Sequence, residues 1–122
     1  MSPTIVVRDG KPFLAVGSPG GSTIITTVLQ ILVDRLDLDL TLPQAIADPR
    51  LSQRNTTTTQ VEPEFLTTPE ATALQARGHT FSTTPEIGAA TGIEFVAGNQ
   101  LLAAAEPVRR GGGSAMVVSP SP

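Results

Sequence analysis

The residues of this chain that are best suited to chemistry form a glycine-rich turn, Gly17-Ser18-Pro19-Gly20-Gly21-Ser22-Thr23. An apolar strand-like run precedes the turn and an apolar helix-like run follows it. At the start of a helix, unpaired N–H groups point outward and the helix dipole favours negative charge. Gly20 and Gly21 have access to backbone angles that other residues avoid, and they let a ligand approach closely. The turn therefore predicts a site for an anion or for a developing negative charge.

Three interpretations of this turn are open on the residues alone. Phosphate binding is disfavoured, because the turn matches neither GxxxxGK[ST] nor GxGxxG and contains no lysine. An oxyanion hole stabilises charge on an attacked carbonyl and needs a nucleophile as well. The chain has no cysteine and no G-x-S-x-G elbow, and its single histidine, His79, follows a glycine that is predicted to end a helix. A purely structural turn that lets a sheet and a helix pack is the third interpretation.

The other polar clusters are interpreted as solvent-exposed segments without a binding or catalytic role. Asp34, Asp37 and Asp39 alternate with leucines at a helix end and are predicted to be solvated rather than a cation site. The threonine run 56–59 is predicted to be a solvated loop. Arg109-Arg110 precedes three glycines and is interpreted as the exposed rim of a flexible tail. No metal and no cofactor is expected.

Two hairpins are predicted to flank the chain's helices. Two pairs of strand-like runs, 4–8 with 12–16 and 93–97 with 100–104, surround the turn signals Asp9-Gly10 and Gly98-Asn99. Both strands of the first hairpin are apolar on both faces, which predicts a sheet that is covered on both sides.

Helical patterns occupy the region between the hairpins. Apolar residues at a period of 3.6 predict a helix over 22–36, and a capping box opens a short helix at Thr41. A third helix is predicted from Thr68 to Arg77, followed by a short strand over 79–83. Another strand is predicted over 115–118. The order of elements predicts an α+β chain without internal repeats.

Length and composition limit the possible partners. The 122 residues suit one domain, divided by composition into a body over 1–106 and a Gly/Pro/Ser-rich segment over 107–122. A net charge of −3 and an aromatic content of 3% exclude a nucleic-acid partner. No apolar run is long enough to suggest a membrane span, and the start of the chain shows no signal-peptide pattern, so the compartment stays unknown.

Five segments, in this order and spacing, resemble the C-terminal part of the small subunit of gamma-glutamyltransferases (gamma-glutamyltranspeptidases). They are MSPTIV at 1–6, GSPGGSTIITTVLQ at 17–30, the run 42–50 ending in ADPR, LQARGH at 74–79 and AAEPVRRGG at 104–112. The resemblance covers nearly the whole chain. It implies an N-terminal-nucleophile (Ntn) hydrolase with a four-layer αββα sandwich, to which this α+β chain contributes outer strands and helices.

The resemblance also implies a mechanism and roles for the glycine turn. In this family a precursor cleaves itself, and the freed threonine attacks a gamma-glutamyl amide of the glutathione class, with its own amino group as base. The acyl-enzyme then passes the glutamyl group to water or to an amino acid. By the family motif, Gly20 and Gly21 supply the oxyanion-hole N–H groups, and Ser18 and Pro19 position the loop near the substrate.

Departures from the family pattern imply a fragment that is inactive alone. The family's substrate-binding serine pair, its nucleophilic threonine and its large subunit would all lie outside this chain, and Glu106-Pro107-Val108-Arg109 replaces Asp-Pro-Arg. An uncovered sheet would favour self-association. The parent family acts in the periplasm or is secreted. Two alternatives stay open: a homologous acylase, and a stand-alone non-catalytic domain that binds a protein partner or a small anion.

Overall fold

A computed structural model describes residues 2–118; Met1 and residues 119–122, which end the predicted tail segment, lie outside the described residues. Within 2–118 the chain forms seven strands and three α-helices, which confirms the α+β class. The strands are β1 Thr4–Arg8, β2 Lys11–Gly17, β3 Leu51–Ser52, β4 Thr59–Val61, β5 Phe81–Thr83, β6 Thr91–Val96 and β7 Gln100–Ala105. The helices are α1 Ile24–Leu36, α2 Leu42–Ala47 and α3 Pro69–Ala76.

The larger sheet contains both predicted hairpins. Its order is β1-β2-β6-β7, and every neighbouring pair is antiparallel. Asp9 and Gly10 both have positive φ, 52° and 74°, which is the geometry that an Asp-Gly hairpin turn requires. Gly98 and Asn99 likewise have positive φ. Both hairpin predictions are confirmed.

The smaller sheet has the order β3-β4-β5, and its β5 confirms the short strand predicted over 79–83, whereas β4 begins at Thr59, the last residue of the predicted threonine loop. β3 pairs antiparallel with β4, and β4 pairs parallel with β5. Two residues of β3 are too few to show an alternation, so this strand was not predicted. The predicted strand over 115–118 is wrong, because these residues are exposed and form no strand.

The core lies between the larger sheet and two of the helices. Val28 and Ile31 of α1 and Ile46 of α2 are buried against Leu14 and Val16 of β2. The predicted capping box that opens α2 at Thr41 is present. α1 begins two residues later than predicted, because residues 21–23 form a 3-10 turn. No helix within 2–118 combines the length and apolar character needed to cross a membrane.

The opposite face of the larger sheet is apolar and uncovered. We call it the outer sheet face and define it by one cross-strand row and a neighbouring pair: Ile5, Ala15, Ile93 and Ala103, with Phe95 and Leu101. Ile5 is 69% exposed and Phe95 is 44% exposed. Among residues 2–118, helices cover one side of the sheet only, whereas the apolar pattern predicts cover on both sides.

Candidate active site

The glycine turn joins the end of β2 to the start of α1. Gly20 has a φ of 144° and Gly21 a φ of 59°, and the value at Gly20 is open in practice only to glycine. The backbone N–H and the hydroxyl of Thr23 both donate to the Gly20 carbonyl, at 3.1 and 2.9 Å. These bonds fix the backbone of the turn before any ligand arrives.

Two adjacent N–H groups in this turn are available to a ligand. Among the described residues, neither the Gly20 nor the Gly21 N–H donates a hydrogen bond, and Gly21 is exposed. Both donors lie just before the first turn of the 13-residue helix α1. Arg54 adds positive charge here, since its guanidinium donates to the Ser22 hydroxyl. Sequence reasoning missed Arg54, which belongs to a loop outside the motif.

Ser18 ties the turn to a distant segment. Its side chain is buried, and its hydroxyl donates to the Pro19 carbonyl at 2.6 Å and accepts from the Ala89 N–H at 3.1 Å. Pro19 itself is exposed. The Ser18 side chain therefore holds the turn in position, while contact of Ser18 or Pro19 with a substrate stays a prediction.

Gly88 packs directly against the glycine turn. Its φ is 69°, and a Cβ at this position would lie 2.7 Å from Thr27 Oγ1 and 2.8 Å from Ser18 Oγ. A Cβ on Gly20 would in turn lie 3.4 Å from the Gly88 Cα. The close approach needs glycine at 88. Gly88 stands far from the turn in the sequence and lies in no motif, so sequence reasoning missed it.

A cluster of four buried charged side chains binds the backbone of the segment that contains Gly88. We call it the buried ion cluster: Arg50, Glu62, Glu106 and Arg109. Arg109 pairs with both carboxylates, at 2.5 Å to Glu62 and 2.8 Å to Glu106, and Arg50 lies 2.9 Å from Glu106. Arg50 is 0% exposed and Arg109 is 6% exposed. Two positive and two negative charges balance within the cluster.

Arg109 therefore corrects the sequence prediction of an exposed tail rim. The prediction is wrong for Arg109 because two buried carboxylates and the Ile46 and Asp48 carbonyls at the end of α2 accept its N–H groups. Arg110 is exposed, as predicted. The division of the chain at residue 106 stays a prediction drawn from composition.

The Glu62 carboxylate of the cluster is held in the charged state. Burial alone would raise the pKa of Glu62, but the Arg109 guanidinium and the N–H groups of Arg50 and Ile87 hold that pKa below its ordinary value. Both of its oxygens accept a backbone N–H, from Arg50 at 2.8 Å and from Ile87 at 2.7 Å. Glu62 is thus an acceptor at neutral pH.

Asp34 is a second correction to the sequence analysis. Asp37 and Asp39 are exposed as predicted, but Asp34 is buried in the last turns of α1, and its Oδ2 has no partner in the described part of the chain. Burial, with a smaller contribution from the nearby Asp48, raises the pKa of Asp34 to about 6, against the lowering effects of Gln30 and Arg50. The sequence position at a helix end did not reveal this burial.

Replacing Asp34 with asparagine should raise the melting temperature by about 5 °C at pH 7 and leave it nearly unchanged at pH 4. The folded-state pKa of about 6 exceeds the ordinary 3.8, so stability falls as the pH rises between these two values. Asparagine stays neutral throughout and removes that loss. Thermal unfolding followed by circular dichroism measures the effect, with the exposed Asp37→Asn as control. Equal shifts at both pH values would contradict the assignment.

The remaining predicted residues lie outside this arrangement. His79 is exposed and its N–H donates to the Leu74 carbonyl, as expected of a residue that follows a helix-ending glycine. A cavity of about 740 Å³ lies between α1 and α3, lined by residues such as Leu29, Val33 and Leu74, and does not include Gly20 or Gly21. Within residues 2–118, no group of three or more His, Asp or Glu side chains could hold a metal ion.

The fold and sequence have clear counterparts among known proteins. A gamma-glutamyltranspeptidase from Pseudomonas nitroreducens in complex with L-DON superposes with a TM-score of 0.82 at 36% identity, over 98% of this chain and 62% of that chain. Gamma-glutamyltranspeptidases have the Ntn-hydrolase fold, and the α+β arrangement of this chain corresponds to part of that fold. The family model described as gamma-glutamyltranspeptidase matches residues 1–116. The chain therefore belongs to the gamma-glutamyltranspeptidase family.

Curated relatives agree with this assignment and are much longer. The glutathione hydrolase proenzyme of Escherichia coli (strain K12) is 60% identical over 50 residues, which are 41% of this chain and 9% of that protein. The glutathione hydrolase proenzyme of Bacillus subtilis (strain 168) is 36% identical over 85 residues, 70% of this chain and 14% of that protein. The matched parts of the chain thus span less than a fifth of the length of either relative.

Proposed function

We propose that this chain is the C-terminal segment of an enzyme that transfers or hydrolyses gamma-glutamyl groups, and that it supplies the oxyanion hole. The observation that carries the proposal is the pair of adjacent, unpartnered N–H groups at Gly20 and Gly21. Gamma-glutamyl amides of the glutathione class are the proposed substrates, because the curated relatives are named glutathione hydrolases.

In the proposed reaction, a threonine from a part of the enzyme outside this chain attacks the gamma-glutamyl carbonyl with its hydroxyl oxygen, and its own amino group takes up the hydroxyl proton. The carbonyl oxygen takes up negative charge as the new C–O bond forms, and the two N–H groups donate to it. The intermediate then expels the amine, which leaves with a proton from the threonine's amino group. Water or an amino acid attacks the resulting ester, and the same donors stabilise the second intermediate.

The rigidity of the turn gives these donors their effect. Donors that are already oriented cost no reorganisation when charge develops, and Thr23 holds the Gly20 carbonyl in place. Gly20 and Gly21 both have positive φ and precede α1, and among the described residues neither N–H takes part in a hydrogen bond. We propose that the rest of the enzyme supplies the nucleophile, the residues that bind the glutamyl group and the large subunit.

The decisive experiment removes one donor without changing a side chain. In the complete enzyme that contains this segment, replacing the Gly21 amide by an ester, with glycolic acid at that position, should lower kcat by about 10²–10³-fold. KM for a gamma-glutamyl anilide should change little, because the donor acts on the transition state. An ester at the exposed loop residue Asn55 serves as control. A kcat within twofold of the parent would refute the proposal.

The 122-residue chain alone should show no turnover of a gamma-glutamyl anilide, since the proposed nucleophile lies elsewhere. The turn has three hydroxyls: Ser18 is buried and donates to a carbonyl, Thr23 donates to the Gly20 carbonyl, and Ser22 accepts from Arg54. The measurement is release of the aniline at high protein concentration. Turnover that Ser22→Ala abolishes would place the nucleophile inside the chain.

A further inference from the structure

We infer that Glu62 is a positioning residue for the Gly20–Gly21 donors and acts through the segment 86–90. The inference rests on the proposed function of the glycine turn. Glu62 lies just after β4 in the smaller sheet, whereas the turn follows β2 in the larger sheet. The link between them consists of hydrogen bonds and one close packing contact.

The buried ion cluster holds both ends of the linking segment. The Ile87 N–H donates to Glu62 Oε1 at 2.7 Å, and the Ile87 carbonyl accepts from Arg50 Nη1 at 2.7 Å. Farther along, the Ala90 N–H donates to Glu106 Oε2 at 3.3 Å. Three backbone groups of one short segment are thus bound by charged side chains that are themselves buried.

The middle of the same segment rests on the glycine turn. Ala89 donates its N–H to Ser18, and Gly88 has no room for a Cβ beside Ser18 and Thr27. A Cβ on Gly20 would be in van der Waals contact with the Gly88 Cα, so the two backbones lie close together. A displacement of residues 86–90 therefore moves or releases the backbone that carries the two donors.

Glu62 accepts a set of hydrogen bonds that its amide analogue, glutamine, cannot accept in full. Each of its oxygens accepts a backbone N–H, from Arg50 or from Ile87, and each also accepts from Arg109. A glutamine of the same shape would place its NH₂ group against one of these N–H donors. Because an amide nitrogen cannot accept, the Glu62→Gln change breaks at least one anchor of the network.

In the complete enzyme, Glu62→Gln should lower kcat at least tenfold while KM for the gamma-glutamyl anilide changes less than twofold. A misplacement of the donors affects the transition state more than substrate binding, and catalytic geometry is sensitive to shifts of an ångström or less. Glu64→Gln, which removes the same charge from an exposed neighbour, should leave both constants unchanged. A kcat within twofold of the parent for Glu62→Gln would overturn the inference.

A second variant keeps the test decisive if Glu62→Gln does not fold. Ser18→Ala removes the last link, the bond to Ala89, and leaves the buried ion cluster intact. It should also lower kcat without raising KM, whereas Ser82→Ala in the smaller sheet should not. Parental kcat in Ser18→Ala would overturn the inference.

Amide chemical shifts separate this inference from the proposed function. In the complete enzyme labelled with ¹⁵N-glycine, Glu62→Gln or Ser18→Ala should shift the Gly20 and Gly21 amide resonances, and Glu64→Gln should not. If the Gly21 ester leaves kcat unchanged, the oxyanion proposal fails. Changes in the Gly20 and Gly21 amide chemical shifts would still show that Glu62 positions the turn. If the ester lowers kcat but the variants move neither kcat nor the resonances, only the positioning inference fails.

Discussion

Replacement of Arg109 by methionine should lower the free energy of unfolding by about 3–5 kcal/mol, the cost of removing one partner from a buried ion pair. All five N–H donors of the guanidinium are used. They bind Glu62 twice, Glu106 once, and the carbonyls of Ile46 and Asp48. Methionine fills much of the volume but leaves two buried carboxylates with a single guanidinium, that of Arg50, between them.

The chain is expected to lose most of its stability through this one change, because small domains are stabilised by only about 5–15 kcal/mol. Urea unfolding followed by circular dichroism measures the difference. Arg110→Met is the matched control, since the neighbouring side chain is exposed and should change stability by less than about 0.5 kcal/mol. Arg109→Lys should fall between the two, because lysine keeps the charge but loses the bidentate geometry. A loss below about 1 kcal/mol for Arg109→Met would contradict the role of the cluster.

Local patterns predicted the local structure of this chain well. The turn pair Asp9-Gly10 specified the first hairpin, and the capping box at Thr41 placed the start of α2. The glycine turn was also found from the sequence, because its motif is continuous and stands between a strand and a helix. Each of these features depends on residues within a few positions of one another.

The buried ion cluster was missed because it depends mainly on tertiary contacts. Glu62 lies 12 residues from Arg50 and 47 residues from Arg109, and Glu106 and Arg109 alone are close in the sequence. The glycines after Arg109 suggested a flexible tail. Arg109 is nevertheless buried, because the carboxylates of Glu62 and Glu106 bind its guanidinium. Gly88 was missed for the same reason, since only the folded chain brings it to Ser18.

The outer sheet face is an apolar surface that is exposed in this chain. The 122-residue chain should self-associate through the outer sheet face, and Ile93→Thr/Phe95→Thr should shift it toward the monomer. Both side chains lie on the face opposite the helices, and both are more than 40% exposed, at 42% and 44%. A contiguous apolar sheet surface in water favours association, because association buries it. Threonine retains the β-branched shape that strands favour, so the change removes apolar area with little harm to the sheet.

Light scattering coupled to size-exclusion chromatography over a range of concentrations measures the expected mass. Val108→Thr is the control, because Val108 is 72% exposed but lies outside the sheet. If this control shifts the mass as far as the double variant does, exposed apolar area in general drives association. A parent chain that stays monomeric at high concentration would contradict the prediction. Association that the double variant alone relieves would identify the outer sheet face as the surface that another layer covers in the complete enzyme, because one face of the sheet is already buried by α1 and α2.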